Sequence, residues 1–168
     1  MPGGDVTEDG ERDAMLAGIE RECMLLARHQ VMVNRHVDGP LLERSAYLLI
    51  SRLEAAGPMS IGQLAEAFQL DTSTVNRQVA ALLRGGLAER IPDPDGGLAR
   101  KLRATDEGRR RYAADRERYY HGLERVLTGW TDEDRAELFE MLMRLNRSIE
   151  DMQGNAWPRP EATVDAGR

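Results

Sequence analysis

The stretch from Ser60 to Thr105 constrains this chain most: SIGQLAEAFQLDTSTVNRQVAALLRGGLAERIPDPDGGLARKLRAT. Ser60 with Gln63 three residues on is the signature of a capping box, so a helix starts there. Ile61, Leu64, Ala65 and Phe68 recur at helical spacing and predict one buried face. The pattern stops around Gln69–Leu70. Asp71 or Thr72 can supply the side-chain oxygen that a second helix start needs. Val75, Val79, Leu82 and Leu83 give that helix a core face. Gly85-Gly86 ends it, because glycine enters the left-handed region without steric cost. Two short helices joined by a tight turn, the second polar at its start, are the arrangement of a helix-turn-helix.

The outward face of the second helix carries the chemistry. Thr72, Ser73, Thr74, Asn76, Arg77 and Gln78 crowd its first two turns, and none is acidic. All can hydrogen-bond to phosphates or base edges; Asn and Gln suit adenine, and Arg suits guanine N7 and O6. After Leu87 the period changes. Leu87-Ala88-Glu89-Arg90-Ile91 reads as a strand, Pro92 to Gly97 as a dense turn, and Arg100 to Ala104 as a return strand. A hairpin directly behind such a helix is a wing, and Arg100, Lys101 and Arg103 are its cations expected at the nucleic-acid backbone.

At Leu70-Asp71-Thr72-Ser73-Thr74-Val75-Asn76-Arg77, Gly86-Leu87-Ala88-Glu89-Arg90, Asp93-Pro94 and Thr105-Asp106-Glu107-Gly108 the chain resembles the MarR family of winged-helix transcriptional regulators, with the mutual spacing kept. The resemblance runs more loosely over about 13–152. It departs at the wing tip: where the family usually has an acidic residue and two arginines, this chain has Gly96, Gly97 and Leu98. The usual wing-tip arginine is missing, and Arg100 is the candidate to stand in for it. The resemblance implies a two-fold homodimer with interlocked terminal helices and two winged helices at its flanks. It further implies a repressor that a small-molecule effector releases from double-stranded DNA. The effector would lie between the lobes, near Leu49, Arg52 and Tyr119.

The remaining chain fits a mainly α, α+β winged helix-turn-helix with N- and C-terminal dimerisation helices. Residues 1–11, Gly-rich and acidic, read as a disordered tail. A helix is expected from about Arg12 to His36, with Met15, Ile19, Cys23, Leu26 and Val33 on its seam. Asp38-Gly39-Pro40 breaks it. A supporting helix follows from Leu41 to Ala56, ended by Gly57-Pro58. Thr105 caps a long helix that reaches Gly129, and Asp106 and Glu107 suit the positive end of its dipole. Arg109-Arg110-Arg111 can be a solvated basic turn or a phosphate contact beside the wing. Thr131 caps a last helix whose Leu138, Phe139, Met141, Leu142, Leu145 and Ile149 spread wider than one stripe. Residues 153–168 read as a tail. The organisation is thus a DNA-binding unit at 41–105 and a dimerisation region at 12–37 and 106–152. A two-fold dimer predicts a palindromic operator with half-sites ~34–36 Å apart.

Charge tempers this reading. The 168 residues carry a net charge of −6. The winged segment holds six Arg or Lys against five acids, so the acidity lies outside it, yet the segment is only weakly basic. Affinity should rest on local placement of charge and on two copies acting together. The weak basicity keeps open a second reading, a winged helix used for protein contact without DNA. A third is redox sensing at Cys23, the only cysteine, near where peroxide-sensing members of the family keep a reactive thiol. A lone cysteine excludes a disulfide framework, and His29, His36 and His121 do not cluster as metal ligands. No nucleophile–base or phosphate-loop pattern occurs, so neither enzyme chemistry nor a cofactor or metal is expected. Nothing approaches a membrane-spanning run or a signal pattern, which points to a cytoplasmic protein.

Overall fold

The structure is a computed structural model and describes residues 5–28 and 41–159. Six helices and one hairpin follow in the order α1 (Asp5–Arg28), α2 (Arg44–Ala56), α3 (Ile61–Phe68), α4 (Thr72–Arg84), β1 (Ala88–Ile91), β2 (Lys101–Ala104), α5 (Asp106–Val126) and α6 (Asp132–Gln153). The fold is a winged helix-turn-helix, as read from the sequence.

Local signals explain most boundaries. The Ser60 hydroxyl accepts from the Gln63 amide N–H, and the Gln63 side chain accepts from the Ser60 N–H, so both donors at the start of α3 are satisfied. The turn between α3 and α4 uses a non-glycine residue at positive φ: Gln69, at 51°. Its N–H reaches the carbonyls of the last turn of α3. Asp71 stands at the N-cap of α4 with no side-chain cap bond, so packing rather than capping holds that start. At the other end Gly85 keeps a right-handed conformation and Gly86 takes the left-handed one, at 66°. The Leu87 N–H then donates back to the Leu82 carbonyl at 2.9 Å, closing the helix as a C-terminal motif does.

The core sits under the helix-turn-helix. Leu49, Ile50 and Leu53 of α2, Leu64 and Ala65 of α3, and Val75, Val79 and Leu82 of α4 are buried with Met59, Leu87, Ala88, Leu102 and Ala104. The hairpin pairs antiparallel, Ala88 opposite Ala104 and Ile91 opposite Lys101. Met59 adds a bridge on the other side of β2, exchanging both backbone hydrogen bonds with Leu102 at 3.1 and 2.7 Å.

One junction ties the wing to α5. The Thr105 hydroxyl donates to the Gly86 carbonyl at 2.6 Å and accepts from the Gly108 N–H at 3.1 Å. The Thr105 N–H donates to the Leu87 carbonyl. A Cβ on Gly108 would lie 2.1 Å from that same carbonyl oxygen, so the helix approaches the backbone as closely as only glycine permits. Farther along α5, Asp115 is buried and accepts from the Leu42 N–H at 2.8 Å and from Arg118 at 3.1 Å. It thereby holds the segment that enters α2.

Three expectations need correction. Residues 5–11, read as a tail, are helical; the Gly10 that suggested disorder costs about 1 kcal/mol in a helix and does not stop one. That helix ends at Arg28 in the described part, and the expected continuation to His36 falls outside the described residues. Residues 153–159, also read as a tail, are ordered against α2 and α3 by a set of specific contacts. The supporting helix starts at Arg44 rather than Leu41, because the Leu42 N–H is already held by Asp115.

Candidate nucleic-acid interface

α4 separates its two faces cleanly. Val75, Val79 and Leu82 are buried, while Thr72, Ser73, Asn76 and Arg77 are exposed and Thr74 and Gln78 half-buried. The first turn has no acidic residue, and Asp71 at the N-cap is the one carboxylate beside the positive end of the helix dipole. Arg77 is exposed and donates to the Thr74 hydroxyl at 3.3 Å, which steadies the guanidinium over the first turn. All six residues read from the sequence on this helix therefore lie away from its buried stripe, four of them exposed and two half-buried.

The wing differs from expectation. Lys101 points into the hairpin, where it is held by Asp93 at 2.7 Å and Asp95 at 2.8 Å, and its side chain is 12% exposed. The Lys101 ammonium donates to the Asp93 carboxylate and pulls it below the usual carboxylate range; the same bond raises the Lys101 pKa. Gly97 makes room for this cluster, since a Cβ there would meet the Asp93 carboxylate at 2.3 Å. Lys101 is thus a tie within the wing, not a cation on its surface. The sequence showed a basic residue on an alternating strand and could not show that the turn acids fold back over it. Arg103 pairs across the strands with Glu89 at 2.7 Å, and both remain exposed. Arg100 is exposed and donates to the Arg90 carbonyl at 3.2 Å. Leu98 stands fully exposed at the tip.

In the basic run at the start of α5, Arg109 turns toward the hairpin and α2, while Arg110 stays exposed. Arg109 donates to the Ala104 carbonyl at 2.9 Å, pairs with Asp106 and lies 3.8 Å from Glu54 of α2. The hydrogen bond with Asp106 raises the Arg109 pKa and lowers that of Asp106. Arg110 pairs with Glu107.

The residues expected around an effector do not converge. Leu49 is in the core. Tyr119 packs edge-on against Tyr47 at 5.2 Å, and Tyr47 also meets Tyr112 at 4.9 Å. Burial, helped by Tyr112, pushes the Tyr47 pKa up to about 12, so its hydroxyl keeps its proton. Arg52 instead lines a groove of about 540 Å³ between α3 and the end of α6, with Gln63, Glu66 and Gln69 on one wall and Asn155 on the other. Cys23 is exposed on α1 rather than packed in a seam of this protomer. Among the described residues no group of His, Cys, Asp and Glu could hold a metal ion, and no helix is long and apolar enough to cross a membrane.

Asp115 and the segment from Asn155 to Arg159 were not legible in sequence. Asp115 sits in a helix dense with charge, where one more acid signals nothing. Trp157 offered the one available hint, as a large aromatic in a chain with only 5% aromatic residues.

Comparison with known proteins agrees with this geometry. The sequence pattern of the MarR family matches residues 42–97, from α2 through the wing turn. The chain is 36% identical over 110 residues to the uncharacterized HTH-type transcriptional regulator YxaD of Bacillus subtilis (strain 168), covering 66% of this chain and 77% of that one. In fold it is similar to a MarR family protein from Bacillus stearothermophilus, with TM-score 0.63 and 21% identity over 85% of this chain and 96% of the other. It is also similar to the PcaV transcriptional regulator from Streptomyces coelicolor in complex with its natural ligand, with TM-score 0.54 and 25% identity over 79% and 93%. A winged helix with an open, acid-free recognition helix and this degree of relatedness leave one assignment: the chain belongs to the MarR family of DNA-binding transcriptional regulators.

Proposed function

We propose that this chain is a homodimeric repressor that places α4 of each protomer in successive major grooves of a palindromic operator and is released by a small-molecule effector. The observation that carries the reading is the division of α4, whose aliphatic face is buried while Thr72, Ser73, Thr74, Asn76, Arg77 and Gln78 occupy the outer side of its first two turns. Base-edge readout falls to Ser73, Thr74, Asn76 and Arg77, and backbone contact to Thr72, Gln78 and the exposed wing cations Arg100 and Arg103. Arg103 must first exchange Glu89 for a phosphate.

The dimer is supported by the apolar surface of the terminal helices. Met15, Leu16, Ile19, Met24 and Leu26 of α1 are exposed, as are Phe139, Met141, Leu142, Leu145, Ile149 and Met152 of α6. α6 buries no residue at all in the described protomer. So much exposed apolar surface along two helices of one protomer supports an interface there. We assign dimerisation to 12–37 and 106–152 and operator binding to 41–105. The effector reading leans on relatives such as PcaV, whose structure holds its natural ligand. A ligand releases DNA only if it binds one spacing of the two lobes better than the other. The protein acts wherever its DNA is, which places it in the cytoplasm.

Selection of bound duplexes from a randomised pool, followed by titration at several salt concentrations, tests the operator-binding part of this reading. An inverted repeat and a steep loss of affinity with salt are expected. The neutralised wing favours one competing reading, a winged helix for protein contact. Recovery of no consensus, with weak and sequence-independent binding, would decide for it.

A further inference from the structure

Past α6 the chain turns at Gly154, whose φ is 64°, and runs back over the helix-turn-helix. The Asn155 side-chain amide donates to the Ala67 carbonyl at 2.6 Å and to the Glu66 carbonyl at 3.3 Å. Both belong to the last turn of α3, whose carbonyls lie beyond the helix's own ladder, and the Glu66 carbonyl also accepts from the Gln69 N–H at 3.1 Å. Gln69, the left-handed residue of the helix-turn-helix turn, donates through its side chain to the Gln153 carbonyl at 3.1 Å. Trp157 packs edge-on against Phe68 at 5.7 Å, and the Arg52 guanidinium of α2 lies over its ring at 5.0 Å. Arg52 also donates to the Ala156 carbonyl, while its Nε is buried with no hydrogen-bond partner, so stacking carries much of that contact. Arg159 closes the segment on itself, binding both Glu150 oxygens at 2.6 and 2.7 Å and the Trp157 carbonyl at 3.3 Å.

These contacts have a mechanical consequence. The winged helix joins the long helices covalently at Thr105, where α5 is pinned to Gly86 and Leu87. Asp115 also holds Leu42, and Tyr47 packs against Tyr112 and Tyr119, so the lobe is seated along α5. α6, in contrast, buries no residue among those described. The segment after α6 grips the lobe at α3 and α2 and so ties α6 to it.

We propose that Asn155–Arg159, anchored by Trp157, is a positioning strap that sets the angle of the helix-turn-helix on α6 and with it the half-site spacing that the dimer accepts. The consequence for spacing rests on the dimeric operator-binding reading above; the angle itself does not. Loosening the strap would leave each α4 able to read its half-site while widening the range of separations between the two copies.

The test uses the full chain with Trp157→Ala, Asn155→Ala and the conservative Trp157→Phe. Spin labels at Arg84→Cys on α4 and Arg144→Cys on α6, in a Cys23→Ser background diluted with excess unlabelled chain, report the angle within one protomer. A narrow distance distribution is expected for the parent and for Trp157→Phe, and a broad or shifted one for Trp157→Ala and Asn155→Ala. The second arm uses the palindrome that the parent selects from a randomised pool, rebuilt with half-sites closer and farther apart, and a duplex with a single half-site. Trp157→Ala should keep the parent's affinity for the single half-site and lose several-fold of its discrimination between spacings. An unchanged distance distribution overturns the proposal. So does an equal loss on every duplex, the single half-site included, which would mean that the segment only stabilises the fold. If the parent sediments as a monomer, the dimeric reading fails and the spacing arm goes with it, but the labels still decide whether the strap fixes the lobe.

Discussion

Arg77 and Lys101 look alike in sequence, two cations in a segment expected at DNA, and the fold separates them. Arg77 stands on the open face of α4 with a fork that matches guanine N7 and O6. Arg77→Ala should cost about 1–3 kcal/mol of operator binding and relax preference at one symmetric pair of positions. Equal weakening on operator and scrambled duplexes would make it a phosphate clamp, and specificity would then fall to Ser73, Thr74 and Asn76 or to DNA shape. Lys101 is spent on Asp93 and Asp95. Lys101→Ala and Asp93→Asn should therefore behave alike, both speeding amide exchange in the hairpin. A drop of about one unit in the salt slope for Lys101→Ala alone would return that lysine to a phosphate. The sign of the pH effect follows from the depressed Asp93 pKa. Its contribution to wing stability is present above the ordinary Asp value and is lost only as pH falls through the lower folded value. Exchange in the parent hairpin should stay slow through the usual carboxylate range, and that protection should vanish in Asp93→Asn. Cys23, exposed on α1, has no cation placed to activate it among the contacts described. Cys23→Ser should leave DNA release by peroxide unchanged from the parent; release in the parent alone would identify a redox sensor.

At the scale of elements, the junctions matter more than the helices. Three of the helices were visible as a period and a cap: Ser60 with Gln63, Thr105, and Thr131 with Asp134 all cap as expected. The close approach of α5 to the end of α4 was not, because a glycine in the first turn of a helix gives no sign of what lies against it. Gly108→Ala must push α5 off the Leu87 carbonyl and should cost about 1–3 kcal/mol, more if the helix cannot shift. A thermal midpoint equal to the parent's would show that the junction yields freely. Asp115→Ala should likewise destabilise by about 1–3 kcal/mol, since it strands the half-buried Leu42 N–H. Asp115→Asn, which keeps an acceptor, should recover part of that loss in chemical denaturation.

For the whole molecule the deciding quantity is unpartnered apolar surface. α1 and α6 expose a row of Met, Leu, Ile and Phe that one protomer cannot cover. The chain should sediment as a dimer at micromolar concentration, and ending it after Gly129 should remove both dimerisation and solubility. A folded monomer at that concentration would exclude the interlocked arrangement. The proposed strap follows α6, so the proposed dimer and the proposed control of half-site spacing meet at that helix.

The local order of helix, turn, helix and hairpin was legible from residues 60–105 because caps, glycines and hydrophobic period act over a few residues and all agree there. So was the polar face of α4, since the positions not at core spacing must point outward. The destination of charges and of chain ends was not. Lys101 turned inward, Asp115 became a buried acceptor and Trp157 folded back onto Phe68. Each depends on a partner far away along the chain or on how a turn closes, and no pattern over a handful of residues encodes which distant surface a long or charged side chain will meet.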